Sequence, residues 1–317
     1  MTISKFGQKV ELQVFDSGKR LVFSSNGLRV DFNVQNDVDF TRATVKIWNM
    51  GPKDISAVQN GECYCRVVAT LHDDSPMVVM DDFYISNSMN ETILPNSVTT
   101  LYTFSKTRKD FLEKTVSFNV KNPTLENVMR HVVQETGFKG KVIYKNFPQA
   151  MLDYAPPRPS KDRTGSVHGL LTMLAPQYRF TFYTQGKDLL LMYHPTYENV
   201  TQTEMYTKEP DIVLDSNNME ANPQIGNAEI QVTSNLDNRF KPADILDTSK
   251  LVTAGTNADE NTLQLLEGYL KDAIAGFSKY QVISVSHQGS NFAKNWTTRV
   301  NATAPSRGIS MPTYGWF

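Results

Sequence analysis

A mainly β protein of the α+β class is what this sequence predicts, with strands in its first and last thirds and a small α/β module between them. Three observations carry the prediction. Apolar residues take every second position in Leu28-Arg29-Val30-Asp31-Phe32-Asn33-Val34 and again in Thr44–Met50, which is the period of a half-buried strand. The period then becomes helical, because Leu125, Val128, Met129, Val132 and Val133 fall at i, i+3, i+4, i+7 and i+8. Strand-like runs return in the last third, most clearly at Ala228–Thr233 and Tyr280–Ser286. These changes divide the chain at residues 1–112, 113–197 and 198–317. At 317 residues it is too long for one ordinary core and suits two or three domains.

In the first third, Val10–Phe15 and Leu21–Phe23 flank the turn signal Asp16-Ser17-Gly18-Lys19. The two alternating strands follow. Pro52–Val58 reads as a short helical turn closed by Asn60-Gly61, and Cys63–Leu71, Met77–Ser86 and Val98–Phe104 add three further strands. About seven short strands joined by turns predict a sandwich or barrel. Val30, Phe32, Val34, Val45 and Ile47 are its expected inward-facing residues.

In the middle third, Asn122-Pro123 reads as a helix cap followed by proline at the first helical position, and Gly137 as the left-handed end of that helix. A strand is expected at Lys141–Tyr144. Residues 146–165, with Pro148, Pro156, Pro157 and Pro159, read as a loop. Pro156-Pro157-Arg158-Pro159 is an extended connector or a polyproline ligand. Ser166 caps a second helix carrying Leu170, Leu171 and Leu174, and a hairpin pairs Arg179–Tyr183 with Asp188–Tyr193 around Gln185-Gly186. In the last third, a helix at Thr262–Ala275 follows a polar loop at Thr253–Asn261, and Trp296–Ala302 is a further strand. The tail ends in Tyr314-Gly315-Trp316-Phe317, either a loose end or an anchor on a neighbouring subunit.

Composition narrows the function. The 32 basic and 33 acidic residues balance, which argues against a specific nucleic-acid binder, because that task needs a basic face against phosphates. The charge is uneven along the chain. The three parts hold 12 basic and 13 acidic, 11 and 6, and 9 and 14 residues, or −1, +5 and −5. Either this is ordinary fluctuation or a basic middle complements an acidic end head-to-tail or between subunits. The two cysteines, Cys63 and Cys65, point to one face of a strand about 7 Å apart, too far for an unstrained bridge, and are expected as buried free thiols made in a reducing cytosol. No apolar run approaches the roughly 18 residues of a membrane span, and Met1–Phe6 has no signal-peptide core, so a soluble product is expected.

Chemistry is sparse. No phosphate-cradling glycine loop, Gly-x-Ser-x-Gly elbow or His-Glu-x-x-His motif is present. His72, His131, His168, His194 and His287 are scattered, and none has local metal-ligand spacing. Asp73-Asp74 and Asp81-Asp82 read as solvated turn residues, with a cation site as the alternative. His287 reads as a turn histidine without a catalytic partner. No catalytic residue, metal ligand or cofactor is expected.

Two segments carry a family resemblance. Leu28–Val34, continuing through Ala43–Pro52 to Val58-Gln59-Asn60-Gly61, resembles the opening domain of baseplate hub proteins of contractile-tailed bacteriophages. There a strand ending in an aromatic-Asn-apolar turn leads into a short helix and a glycine. Tyr280–Gly289, followed by Trp296-Thr297-Thr298-Arg299-Val300, is similar to that family's closing hairpin, with its His-x-Gly turn and Trp-Thr strand. Residues 113–197 resemble its inserted α/β domain. The chain departs from the pattern at Ala69–Asp73, where many relatives carry an apolar Gly-Tyr, and in the length of Thr262–Ala275.

The resemblance implies two tail-tube-like antiparallel β-barrels, at 1–112 and 198–317, around the module. It implies a non-enzymatic virion protein, made in the bacterial cytoplasm, that joins the tail tube to the central spike. As partners it implies two further copies in a homotrimer, the tail-tube protein, the spike protein, other baseplate proteins and the tape measure. Three subunits would present six similar barrels to a six-fold tube and a three-fold spike. Trp296, Tyr314, Trp316 and Phe317 are the candidate interface residues. The competing readings are a tail-tube or tube-tip protein, which would lack the α/β insert, and a cell-wall hydrolase, for which no catalytic constellation can be assembled.

Overall fold

The computed structural model describes residues 9–37, 40–70, 76–118, 123–155, 163–193, 209–215, 219–220, 223–225, 229–250, 279–292 and 296–303. The helix expected at Thr262–Ala275, the loop at Thr253–Asn261, the Pro156–Pro159 segment, Asp73-Asp74 and the Tyr314–Phe317 tail lie outside these residues.

The first third forms β1 (Lys9–Asp16), β2 (Leu21–Ser24), β3 (Val30–Asp37), β4 (Phe40–Trp48), α1 (Pro52–Gln59), β5 (Cys63–Thr70), β6 (Pro76–Ile93) and β7 (Asn96–Ser105). Each strand owes its register to one buried face. Val10, Leu12 and Val14 alternate inward on β1; Val30, Phe32 and Val34 do so on β3, and Val45 and Ile47 on β4. Phe32 pairs with Val45, and Val30 with Ile47. One apolar core collects these residues with Cys63, Cys65, Val67, Met80 and Leu101, so β1 to β7 wrap around it. Both cysteines are buried and free.

The middle third continues with α2 (Lys106–Glu113), β8 (Thr115–Phe118), α3 (Leu125–Thr136), β9 (Val142–Lys145), α4 (Gln149–Leu152), β10 (Arg163–Ser166), α5 (Val167–Tyr178), β11 (Phe180–Gln185) and β12 (Asp188–Tyr193). Leu125, Val128, Met129 and Val132 of α3 pack with Leu171, Leu174 and Tyr178 of α5 over Phe180, Leu189 and Leu191. The cap of α3 is Thr124, not Asn122: its hydroxyl accepts from the Asn127 N–H, and Pro123 stands before it. Gly137 ends α3 in the left-handed conformation expected of it, at φ 62°. Ser166 caps α5 by accepting from Gly169 N at 3.1 Å. The loop expected at 146–165 contains the single turn α4 and the strand β10, which pairs with β8.

The last third supplies β13 (Ile212–Val213), β14 (Gln224–Ile225), β15 (Glu229–Asn235), β16 (Ile245–Asp247), β17 (Lys279–Ser290) and β18 (Thr297–Thr303). Its own core holds Ile230, Val232, Phe240, Leu246, Val282, Val285 and Val300. The molecule is mainly β, and the two β-rich parts share one sheet in the order β14-β15-β18-β17-β3-β4-β7-β6-β5-β1-β2. The link is an antiparallel pairing of β17 with β3 from Val285↔Asn36 to Ser290↔Asp31.

Two sequence expectations change here. His287-Gln288-Gly289 is not a turn. β17 runs on to Ser290, and the chain turns after it, at Asn291 and Phe292. Gly289 stands opposite Phe32 in the sheet, and a Cβ there would come within 2.8 Å of the Phe32 ring. The glycine therefore marks a close approach. Likewise, Asp81 and Asp82 are not turn residues. They form a bulge within β6, two residues opposite Arg66 alone, with Asp82 at φ 56° and Asp81 accepting from Arg66 Nε at 2.7 Å.

Candidate functional site

The place where the three parts meet is built from three sets of contacts. At the β3–β17 pairing, Asp31 accepts from Arg29, from Trp48 Nε1 at 3.0 Å and from Ser290 Oγ. Burial pushes the Asp31 carboxyl up, and these hydrogen bonds outweigh it and hold the group below the usual carboxylate range. Asn291 clamps the adjoining backbone, accepting from Val30 N at 2.9 Å and donating to Leu28 O at 2.7 Å. Beneath this lies Trp296, with 2% of its surface exposed, edge-on to Phe32 with ring centroids 6.3 Å apart and donating to Ser290 O.

The second set fixes the module to the first third. Ser105 Oγ lies 2.7 Å from Thr184 Oγ1, Thr107 Oγ1 donates to Gly186 O at 2.8 Å, and Thr41 Oγ1 donates to Thr184 O. Short hydroxyl side chains at one end of the strands thus seat the β11–β12 hairpin. The third set joins the module to the last third. Lys145 Nζ bridges Asp211 at 3.3 Å and Asp244 at 3.5 Å, and Ala243 packs among Tyr183, Leu190 and Met192. Here one lysine of the middle third meets two aspartates of the last third within the chain. Burial, opposed by Lys145 and aided by Asp211, lifts the Asp244 carboxyl to about 6.

Between these contacts lies a cavity of about 500 Å³, lined by residues of β3, β4, β6, the Gly186 turn, the segment Asn238–Lys241 and His287. His287 has 3% of its surface exposed, and its Nδ1 lies 2.9 Å from Thr298 Oγ1. Burial pushes the imidazole down to about 4, and the nearby Asp237 only partly offsets this, so the ring is neutral at pH 7. Asp237 itself is raised by burial, but the Arg239 guanidinium, bonded to it at 2.6 Å, holds it below its ordinary value. Sequence reading missed this site because its residues come from segments more than 240 positions apart.

The outer surface offers a second feature. β6 outruns β5, whose pairing ends at Tyr64↔Tyr84, so Ser86–Ile93 bonds only to β7 among the described strands. The tip of this hairpin carries exposed Met89, Ile93 and Leu94, the last with 87% of its surface exposed. An apolar tip on a strand with an open edge is a surface suited to a partner.

Of the four aromatic interface candidates, Trp296 serves packing inside the chain, and Tyr314, Trp316 and Phe317 lie outside the described residues. His287 is a buried strand residue, and Asp81 is engaged by Arg66. Among the described residues no group of three or more His, Cys, Asp or Glu side chains is placed to hold a metal ion, and no helix is long and apolar enough to cross a membrane.

No protein-family model matches the sequence, and no curated protein matches it either. Solved structures do match in fold. A tail protein from Neisseria meningitidis MC58 aligns over 94% of this chain and 98% of its own, with 10% identity and a TM-score of 0.54. A chain of the Francisella PdpA–VgrG complex aligns over 98% of this chain at 7% identity and a TM-score of 0.56; this chain spans 60% of that one. The 43 kDa tail protein of prophage MuSo2 from Shewanella oneidensis aligns over 95% of this chain and 99% of its own, at 9% identity and a TM-score of 0.51. The chain has the mainly β fold of these tail proteins along nearly its whole length.

Proposed function

We propose that the chain is a structural subunit of a phage tail baseplate, the hub that joins the tail tube to the central spike. The carrying observation is the β3–β17 pairing, which makes two β-rich parts into one continuous sheet with the α/β module seated against both. A subunit of that kind presents two β bodies in a fixed relation, and three such subunits present six. A ring of three then meets a six-fold tube on one face and a three-fold spike on the other. The fold shared with two tail proteins supports the tail assignment, and the open-edged, apolar hairpin at Ser86–Leu94 offers a contact for a further component. The domains are proposed at 1–112, 113–197 and 198–317, and the site of action is the virion baseplate.

The tail at residues 311–317 is proposed as an anchor on a neighbouring subunit or the spike. Three aromatics in four residues offer large rigid rings at small entropic cost. Deleting residues 311–317 should leave circular dichroism unchanged and weaken capture of the spike protein encoded by the same phage. Capture by the full chain is the test of the hub reading. If the full chain binds neither spike nor tube protein, that reading fails. If the truncated chain binds as well as the full one, the tail is no anchor.

A further inference from the structure

The seam between the α/β module and the last third carries more negative charge than it neutralises. We propose that this seam is a proton-operated clasp, tightened by a proton on the carboxylate pair Asp211–Asp244 and slackened when both carboxylates ionise.

The geometry sets the response. Lys145 Nζ, at the end of β9, lies 3.3 Å from Asp211 and 3.5 Å from Asp244, so one ammonium serves two carboxylates. With all three groups ionised, the closed seam holds a surplus negative charge. Asp244 bears most of the cost, because only 9% of its side chain is exposed, against 39% for Asp211. A proton on Asp244 removes the surplus and leaves Lys145 paired with Asp211 alone. The neutral carboxyl can still accept from Lys241 N, which donates to Asp244 Oδ2 at 3.0 Å. Parting the two surfaces returns both carboxylates to water, where they ionise at their ordinary values. The closed seam therefore binds the proton more tightly than the open one, and by linkage acid closes it. Burial, opposed by Lys145 and aided by Asp211, lifts the Asp244 carboxyl to about 6, which is the sign the clasp requires.

The neighbouring elements add no competing charge in this range. β11 and β12 face Ala243 with Tyr183, Leu190 and Met192, of which only the phenol titrates, and phenols ionise at about pH 10. The next charges on β16 and β17, Asp247 and Lys279, stand opposite one another in the ladder. The backbone on both sides of the seam is left-handed without glycine, at Asn146 with φ 61° and Ala243 with φ 70°, and Asn146 Nδ2 donates to Ala243 O. Alanine is strained there, and strained residues gather at switch segments. The seat of the module on the first third is of another kind. The hydroxyls of Ser105, Thr107 and Thr41 hold Thr184 and Gly186 there, and they carry no charge at either pH. Acidity thus acts on one side of the module only.

The test is thiol labelling of the full chain carrying Met192→Cys, which places a probe among the side chains that Ala243 covers. A dipyridyl disulfide reagent is used at pH 5 and pH 7, with rates normalised to a free thiol at each pH and sites assigned by mass spectrometry. Opening of the seam should be roughly tenfold rarer at pH 5 than at pH 7, and labelling of the introduced thiol slower by that factor. The buried Cys63 and Cys65 of the first core should not slow with it. Adding Asp244→Asn, uncharged at both pH values, should abolish the difference. Adding Asp211→Asn, at a more exposed position, should shrink it, and this variant carries the test if the first fails to fold. Equal labelling at the two pH values, a difference undiminished in either variant, or the same slowing at Cys63 and Cys65 would overturn the proposal.

Discussion

Replacing Phe32 with alanine should lower the stability of the chain by about 3–5 kcal/mol, the range for truncating a buried aromatic ring. The ring is 3% exposed, stands edge-on to Trp296 and fills the space that Gly289 leaves open. It therefore touches the first β-rich part and the closing strands of the last at once. Its loss should weaken the β3–β17 link as well as the first core, and both β-rich parts should melt together at a lower temperature. Urea unfolding followed by the Trp48 and Trp296 fluorescence would measure the effect. A variant that melts with the parent, or one in which only residues 9–105 lose stability, would contradict the packing described.

The second large effect is a dependence on pH through His287. Its folded-state value lies near 4, below the ordinary 6.5, because burial disfavours the charged ring. The unfolded chain thus binds this proton more readily between those values. Stability from the neutral ring is fully present above about 6.5 and is lost as pH falls towards 4, by roughly 3 kcal/mol at most. Asp244 acts in the opposite sense. Its folded value is raised from 3.8 to about 6, so acid relieves the cost of its burial over nearly the same window. The parent protein should therefore show a shallow profile that hides both contributions. The difference in unfolding free energy between the parent and His287→Asn isolates the first. It should narrow or reverse by about 2–3 kcal/mol between pH 7 and pH 4. A difference constant across that range would mean that the ring is charged or solvated.

Much of the architecture was legible because a single face decides a strand or a helix. The alternation at Val30, Phe32 and Val34 and the stripe at Leu125, Val128, Met129 and Val132 each required one buried side, and each has it. Features that depend on distant partners were not legible. Beyond Ser86, β6 carries polar residues on both faces, and only its ladder to β7 makes it a strand. Asp81-Asp82 looks like a turn until Arg66 is known to lie opposite. The short helix α2 buries only Thr107 and Phe111 in a charged run, too few positions to show a period. His287 and Gly289 look like a turn because the sequence cannot show that Phe32 occupies the space above the glycine. The inward packing of Trp296 was illegible for the same reason: a strand-end aromatic has two faces to choose from, and Phe32 and Ser290 decide it. The cavity was illegible because it draws on all three parts of the chain.

The central claim is that three copies of this chain form a ring with six β bodies. Electron-microscope class averages of the purified oligomer, with native mass spectrometry on the same sample, test it most directly. The account predicts a trimeric mass and a ring with a central channel, three-fold in symmetry and six-lobed in projection. A stable hexamer with true six-fold symmetry would make the chain a tube protein, and it would contradict the hub assignment.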